Sequence, residues 1–251
     1  MVSFSLLVGF GAALGAWQVG RSAPPSQAGR WVDAALVTLL LALIGSRAAY
    51  VALEWPYYAA RTGEIFAIWQ GGLAWVGAVL GWLAGVLLAA GFWRISIGAA
   101  LDGLGPLITP LAVTAWLGCW QSGCGYAVAL PAGAWWGLPA PDESGLVASR
   151  FPLQVLAALL ILAHDWAAAA FLYPPKGSGL RAALSLAAVG VVIFIASLLW
   201  AQPTRRIGIV PLDGWFGLGV AATGVFYGLW YELVRSRILR GKQRRADGHQ
   251  P

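Results

Sequence analysis

Charge is what this sequence has least of. Lysine, arginine, aspartate and glutamate make up 10% of its 251 residues, where a soluble domain carries about a quarter. So few charges cannot cover a water-facing surface of that size, which excludes an ordinary soluble globule. No polar stretch is long enough to form a second, soluble domain. Metal-ligating residues are scarce as well. Cys119 and Cys124 are the two cysteines, and His164 and His249 are far apart. That inventory argues against a disulfide scaffold or a zinc site, and no metal or cofactor is expected. What the chain does have is 59% hydrophobic residues, 33 glycines and 15 tryptophans. Glycine lets helices approach closely inside a bilayer, and tryptophan settles at the water–lipid boundary.

Crossing a hydrocarbon core of about 30 Å takes about 20 apolar residues. Seven segments come near that: Val2–Val19, Val32–Leu53, Leu73–Phe92, Leu104–Leu130, Pro152–Leu172, Leu180–Trp200 and Trp215–Val234. The expected fold is therefore all-α, a polytopic membrane protein of about seven transmembrane helices. Residues 1–234 form a single membrane domain, and 235–251 a basic cytoplasmic tail. The fourth segment is too long and too rich in glycine and proline for one straight helix. Pro106 and Pro110 each remove a backbone donor, which predicts a broken or re-entrant stretch. The first segment has no basic flank and no small-x-small cleavage site, so it reads as a retained helix. The brevity of what precedes it is compatible with a coding start further upstream. No internal repeat is evident, which argues against an inverted-repeat transporter.

Basic residues set orientation. With the C-terminus inside, the cytoplasmic set is Arg21, Arg30, Arg94, Lys176, Arg181 and six tail cations from Arg235 to Arg245; the outer set is Arg61, Arg150, Arg205 and Arg206. The asymmetry predicts an outside N-terminus and a cytoplasmic C-terminus. A basic cluster directly after an apolar segment fits anionic lipid headgroups, and no nucleic-acid partner is expected. Of the outer connections, Glu54–Gln70 carries Trp55, Tyr57, Tyr58, Phe66 and Trp69, the pattern of a strip lying in the interface. Leu130–Phe151, with three prolines and Asp142–Glu143, reads as a loop.

Several residues invite chemistry. Arg47 falls inside the second segment, where a charge costs a few kcal/mol unless it snorkels, pairs or lines a wet cavity. Its fork of donors also suits a lipid phosphate. The glycines after Trp69, with Gly77 and Gly81, leave a smooth face for a helix or an acyl chain. Gly118–Gly125 holds three glycines and predicts an unwound stretch. There Cys119 and Cys124 read as small packing residues, with a nucleophile or a disulfide as alternatives if the helix breaks. Adjacent helical residues do not share a face, so His164 and Asp165 each look to a partner on another helix. Glu232 is placed to pair with Arg235 or Arg237.

The chain resembles the prolipoprotein diacylglyceryl transferases of the bacterial inner membrane over nearly its whole length. Arg47-Ala48-Ala49-Tyr50-Val51 is similar to that family's Gly-Arg-x-Gly-Tyr-Val. Ile65–Leu73 resembles its run into Gly-Gly-Met/Leu, and Gly105-Pro106 stands at its Ala-Pro. Trp116–Trp120 occupies the Gly-Arg-x-Gly-Asn-Phe signature, and Arg150-Phe151-Pro152-Leu153-Gln154 its Arg-x-Pro-Ser/Thr-Gln. The resemblance implies seven helices and an outside N-terminus. It implies transfer of diacylglyceryl from phosphatidylglycerol to the lipobox cysteine of a prolipoprotein, whose signal peptide is the partner. It points to Arg47, Tyr50, Gly72, Gly77, Gly118, Arg150 and Gln154 as substrate-binding positions. Catalytic residues stay unassigned, because the family's histidine falls on Val76, its signature arginine on Trp116 and its asparagine on Cys119. The motif's later asparagine and glutamate fall on Ser122 and Cys124, its Tyr-Glu on Leu156-Ala157 and its sixth-helix arginine on Phe194. Two other readings follow: a catalytically lapsed relative that binds lipid or lipoprotein precursor, and an enzyme acting on another lipid through Cys119 or Cys124.

Overall fold

The computed structural model describes residues 2–131, 133–171 and 174–247. His249 and the Leu172 end of the fifth predicted segment lie outside them. Helices α1 (Val2–Ser22), α2 (Ala28–Leu53) and the single turn α3 (Trp55–Tyr58) come first. They are followed by α4 (Trp75–Trp93), α5 (Ile97–Leu104), α6 (Ile108–Ser122), α7 (Leu153–Phe171), α8 (Leu180–Leu198) and α9 (Leu212–Asp247). Five stretches are long and apolar enough to cross a bilayer among the described residues: Pro25–Leu53, Trp75–Trp93, Ile97–Ser122, Leu153–Phe171 and Leu180–Leu198. The fold is thus all-α and polytopic, with α1 and α9 flanking these five. The tail's backbone continues α9 without a break as far as Asp247.

The fourth predicted segment is the one most revised. Its helix starts earlier, at Ile97, where the Ser96 hydroxyl accepts from the Ala99 amide and caps the first turn. Gly105–Leu107 tightens into a 3-10 turn around Pro106, and the Trp82 indole donates to the Leu104 carbonyl at this break. Pro110 falls in the first turn of α6, where its missing N–H costs nothing. The helix then holds through Gly118 and Cys119 and ends at Ser122, with Gly123 in the left-handed conformation that closes it. Unwinding therefore begins at Gly123, five residues later than Gly118. The chain turns at Gly123 and Gly125 and then runs to Leu130 as a bridged, non-helical connection rather than as membrane helix. The 130–151 connection also has more order than a plain loop. Strands β1 (Leu138–Pro141) and β2 (Val147–Arg150) pair antiparallel, Leu138 opposite Arg150. A second, two-residue pair joins β3 (Arg206–Ile207) to β4 (Val210–Pro211).

Helices pack on small residues, as association inside lipid requires. At Gly77 of α4 a side-chain carbon would be driven into the Gly45 carbonyl of α2, and at Gly118 of α6 into the Phe4 ring of α1. Both glycines are therefore helix-contact positions. Between them a core forms around Leu104 and Leu107, both fully buried, with Val19, Val86 and Ile161. Three connections gather at one end of the bundle. Arg205 pairs with Glu54 at 3.0 Å, the Gly125 amide donates to Gln202 at 2.6 Å, and Ala127 bridges Trp200. The remaining polar expectations fall on helix surfaces. Asp165 meets Arg181 of α8 at 3.7 Å, and Glu232 meets Arg235 at 3.5 Å. The His164 Nε2, by contrast, is buried, with no hydrogen-bond partner among the described residues.

Candidate functional site

Arg47 organises the site. It lies six residues before the end of α2, and its side chain is buried. Burial of a guanidinium is tolerable only if its donors are satisfied. Here backbone carbonyls do that. Nε donates to Ile65 O at 2.8 Å and Nη2 to Glu64 O at 2.6 Å; Nη1 donates to Gly71 O at 2.7 Å and Gly72 O at 3.0 Å. Four of the five guanidinium donors are thus taken, and the Tyr58 ring lies 5.2 Å from Cζ. The segment from Glu64 to Gly72 is folded over the end of α2 and held there by one side chain.

That clamp shapes a cavity of about 270 Å³ lined by Tyr50, Glu54, Tyr57, Tyr58, Glu64, Gly71 and Gly72. Gly72 has φ +74°, and a side chain on it would strike the Tyr50 ring and Arg47 Nη1. Only glycine lets the backbone turn and come so close. Tyr50 meets Tyr58 edge to face at 6.2 Å, and Tyr58 meets Tyr57 at 5.1 Å. The Tyr57 hydroxyl donates to Glu64 Oε2 at 2.8 Å, and the carboxylate holds that phenol's pKa above its ordinary value. Arg61 stacks on the Tyr57 ring at 4.3 Å. The predicted interfacial strip is therefore partly a cavity wall. Phe66 and Trp69 are exposed, whereas Tyr58 turns inward.

Arg150 and Gln154 belong to a second cluster, where the connection from α6 enters the first turn of α7. Arg150 is buried, ion-paired with Asp142 at 3.0 Å, and bonded to the carbonyls of Ala140 and Ala127. It sits 4.7 Å over the Tyr126 ring. The Ser144 hydroxyl, the amides of Leu146 and Ser144, and Arg150 hold the Asp142 carboxyl below the usual carboxylate range. Tyr126 donates to Glu143, which pushes the phenol up to about 12. Gln154, fully buried, donates to the Cys124 carbonyl at 3.2 Å.

Cys119 and Cys124 are joined in a disulfide with Cα atoms 4.6 Å apart, which corrects the expectation of packing thiols. The helix ends between them, and left-handed Gly123 turns Cys124 back over the last turn. Neither sulfur is a free thiolate, so the enzyme reading built on a reactive Cys119 or Cys124 is not carried further. Among the positions of the absent family groups, Trp116 is buried in the core.

Sequence reasoning singled out Arg47, Tyr50 and Gly72, which the structure brings together. It missed Glu54, Glu64, Tyr57 and Tyr58 as walls of one cavity; the signal was the aromatic density of residues 55–69. Gly77 and Gly118 stand at helix contacts.

A family model described as prolipoprotein diacylglyceryl transferase matches residues 1–236. The chain is 34% identical over 100 residues to the phosphatidylglycerol–prolipoprotein diacylglyceryl transferase of Bacillus velezensis, covering 37% of each protein. To the enzyme of that name from a Synechocystis it is 38% identical over 76 residues, 30% of this chain and 27% of the relative. To that from Synechococcus elongatus it is 40% identical over 88 residues, 35% and 29% of the two chains. These alignments span between 27% and 37% of the relatives' length.

Proposed function

The chain belongs to the prolipoprotein diacylglyceryl transferase family, and on that premise we propose that it moves diacylglyceryl from phosphatidylglycerol to the lipobox cysteine of a prolipoprotein. One observation carries the reading. At the loop-rich end of an apolar helical bundle, a tyrosine-lined cavity opens over a buried cation, Arg47. Such a recess takes a polar lipid headgroup while the acyl chains stay among the helices. In the transfer a sulfur–carbon bond forms to the glyceryl carbon and the carbon–oxygen bond to phosphate breaks. Glycerol phosphate leaves, and the thiol proton goes to a base. Tyr50 and Gly72 shape the pocket, and the Arg47 charge favours the phosphate. The proton acceptors within the cavity are the Glu54 and Glu64 carboxylates. Arg150 and Gln154 act on the same end by fixing the 123–152 connection, which is tied to residues 200–202. Gly77 and Gly118 set the helix spacing beneath.

On this reading the protein lies in the bacterial inner membrane with the cavity on the outer face, residues 1–234 as one membrane domain, and the basic tail against cytoplasmic anionic lipid. Two observations support that orientation. Arginine and lysine concentrate at the opposite end, and a disulfide persists in an oxidising compartment. Thiol reagents are expected to label Cys119 and Cys124 only after reduction. The Cys119→Ser/Cys124→Ser pair is expected to cost about 2 kcal/mol, the loop entropy of so short a ring, read as a lowered unfolding midpoint.

A bacterium depleted of its own transferase and expressing this chain tests the activity. Mass spectrometry of a lipoprotein cysteine is expected to show diacylglyceryl above background. The lapsed-relative reading is favoured by Val76, Trp116 and disulfide-bonded Cys119 at the family's polar positions. Unmodified cysteine, with phosphatidylglycerol still co-purifying, would select it.

A further inference from the structure

We infer that the headgroup phosphate is gripped by two arginines at the cavity's rim, Arg205 and Arg61, while the buried Arg47 serves as a positioning residue. The inference rests on the phosphatidylglycerol reading above and assigns its contacts. Arg47 has spent four donors on carbonyls, and giving them up would release the segment that forms the cavity floor. The rim arginines are differently placed. Arg205 is about half exposed and holds Glu54, a lining residue, through Nη2 at 3.0 Å. Its remaining N–H groups keep the fork that matches phosphate oxygens. Arg61 is exposed, with its Cζ 4.3 Å over the ring of Tyr57, another lining residue.

The charges around the cavity agree. Around it stand three cations, Arg205 on the Glu54 carboxylate, Arg47 on the Glu64 carbonyl and Arg61 over Tyr57, against the two lining carboxylates of Glu54 and Glu64, leaving one positive charge uncompensated. A phosphodiester carries one negative charge and would close the balance. Glu54 then works as a placeholder: it parks Arg205 at the mouth while the cavity is empty and yields it to an entering phosphate. Because Arg205 lies 151 residues from Glu54 in sequence, the grip also ties the connection from α8 to β3 to lipid occupancy.

The test separates this role from simple stapling of two connections. Purified full-length protein is titrated with phosphatidylglycerol and, separately, with phosphatidylcholine in otherwise identical detergent micelles, and bound lipid is counted by native mass spectrometry. Arg205→Gln is expected to weaken phosphatidylglycerol binding about fivefold or more, and Arg61→Gln to weaken it a few-fold. Glu54→Gln is expected to strengthen it, because Arg205 is freed and a negative charge is lost. If the Glu54–Arg205 pair were only a staple, Glu54→Gln and Arg205→Gln would move binding in the same direction, and that result overturns the inference. Unchanged affinity in both arginine variants, with wild-type selectivity intact, also overturns it and leaves the headgroup reading standing. A wild type that takes up neither lipid sinks the headgroup reading itself. Inorganic phosphate added in excess is expected to leave the bound lipid in place; displacement would identify a free-anion site instead and overturn the lipid assignment.

Discussion

Replacing Arg47 by alanine is expected to destabilise the protein by about 3–5 kcal/mol, the cost of removing one partner from a buried charged cluster. The carbonyls of Glu64, Ile65, Gly71 and Gly72 all receive from this one side chain. These acceptors are half-buried, and each one stranded by its loss costs at most about 1–3 kcal/mol. Water reaching the loop from the membrane surface offsets part of that sum. Arg47→Lys is expected to recover little. An ammonium is a point charge with three donors, and it cannot span carbonyls contributed by both ends of a nine-residue segment. The measurement is the unfolding midpoint of purified protein in detergent. A midpoint within a degree of wild type for Arg47→Ala would show that the segment holds its shape without the clamp.

The second large effect lies at Gly77. Helices α2 and α4 touch there through backbone, and the contact is reinforced where Ser46 Oγ donates to the Ala74 carbonyl at 3.0 Å and the Ala74 amide donates to Ser46 at 3.1 Å. A side chain at Gly77 would meet the Gly45 carbonyl and the Ala49 methyl, neither of which can step aside without moving the helix. Gly77→Leu is therefore expected to cost more than about 3 kcal/mol, beyond the usual penalty of overpacking. The separation would also spoil the cavity, since Arg47 and Ala74 flank the same crossing. Gly91, on the same helix, has open space around it. Gly91→Ala is expected to be neutral or to stabilise by up to about 1 kcal/mol through helix propensity. Comparable losses for the two variants would mean that propensity, and not helix contact, governs this face.

The helices were legible because lipid imposes a length and a hydropathy that sequence records directly. The ends were less so. The apolar run from Leu104 to Leu130 gives no warning that membrane helix stops at Ser122, since Ala127, Val128 and Leu130 are as apolar as what precedes them. What stops it is the left-handed turn at Gly123, and one glycine among three in eight residues does not announce which of them will take it. The disulfide followed from the same turn. Spacing shows that Cys119 and Cys124 could meet only where a helix ends, but the end itself depends on the tertiary contacts of Gly123 with the 141–142 backbone. In the site, Arg47 stood out because a charge inside an apolar run must have a partner. Its partners were invisible, because they are carbonyls, which every residue owns and no letter of the sequence marks. Glu54 and Arg205 were likewise unreadable as a pair, being brought together only by the packing of α8 and α9 against the rest of the bundle.

Entry of phosphatidylglycerol into the cavity clamped by Arg47 is tested most directly by photocrosslinking. A phosphatidylglycerol analogue with a photoreactive headgroup, incorporated in nanodiscs with the full-length protein, is irradiated and the adducts are mapped by peptide mass spectrometry. The predicted adducts fall on Tyr50, Tyr57, Tyr58 and the segment from Glu64 to Gly72. Adducts confined to the outer ends of α7 and α8, with none on that segment, would contradict the account.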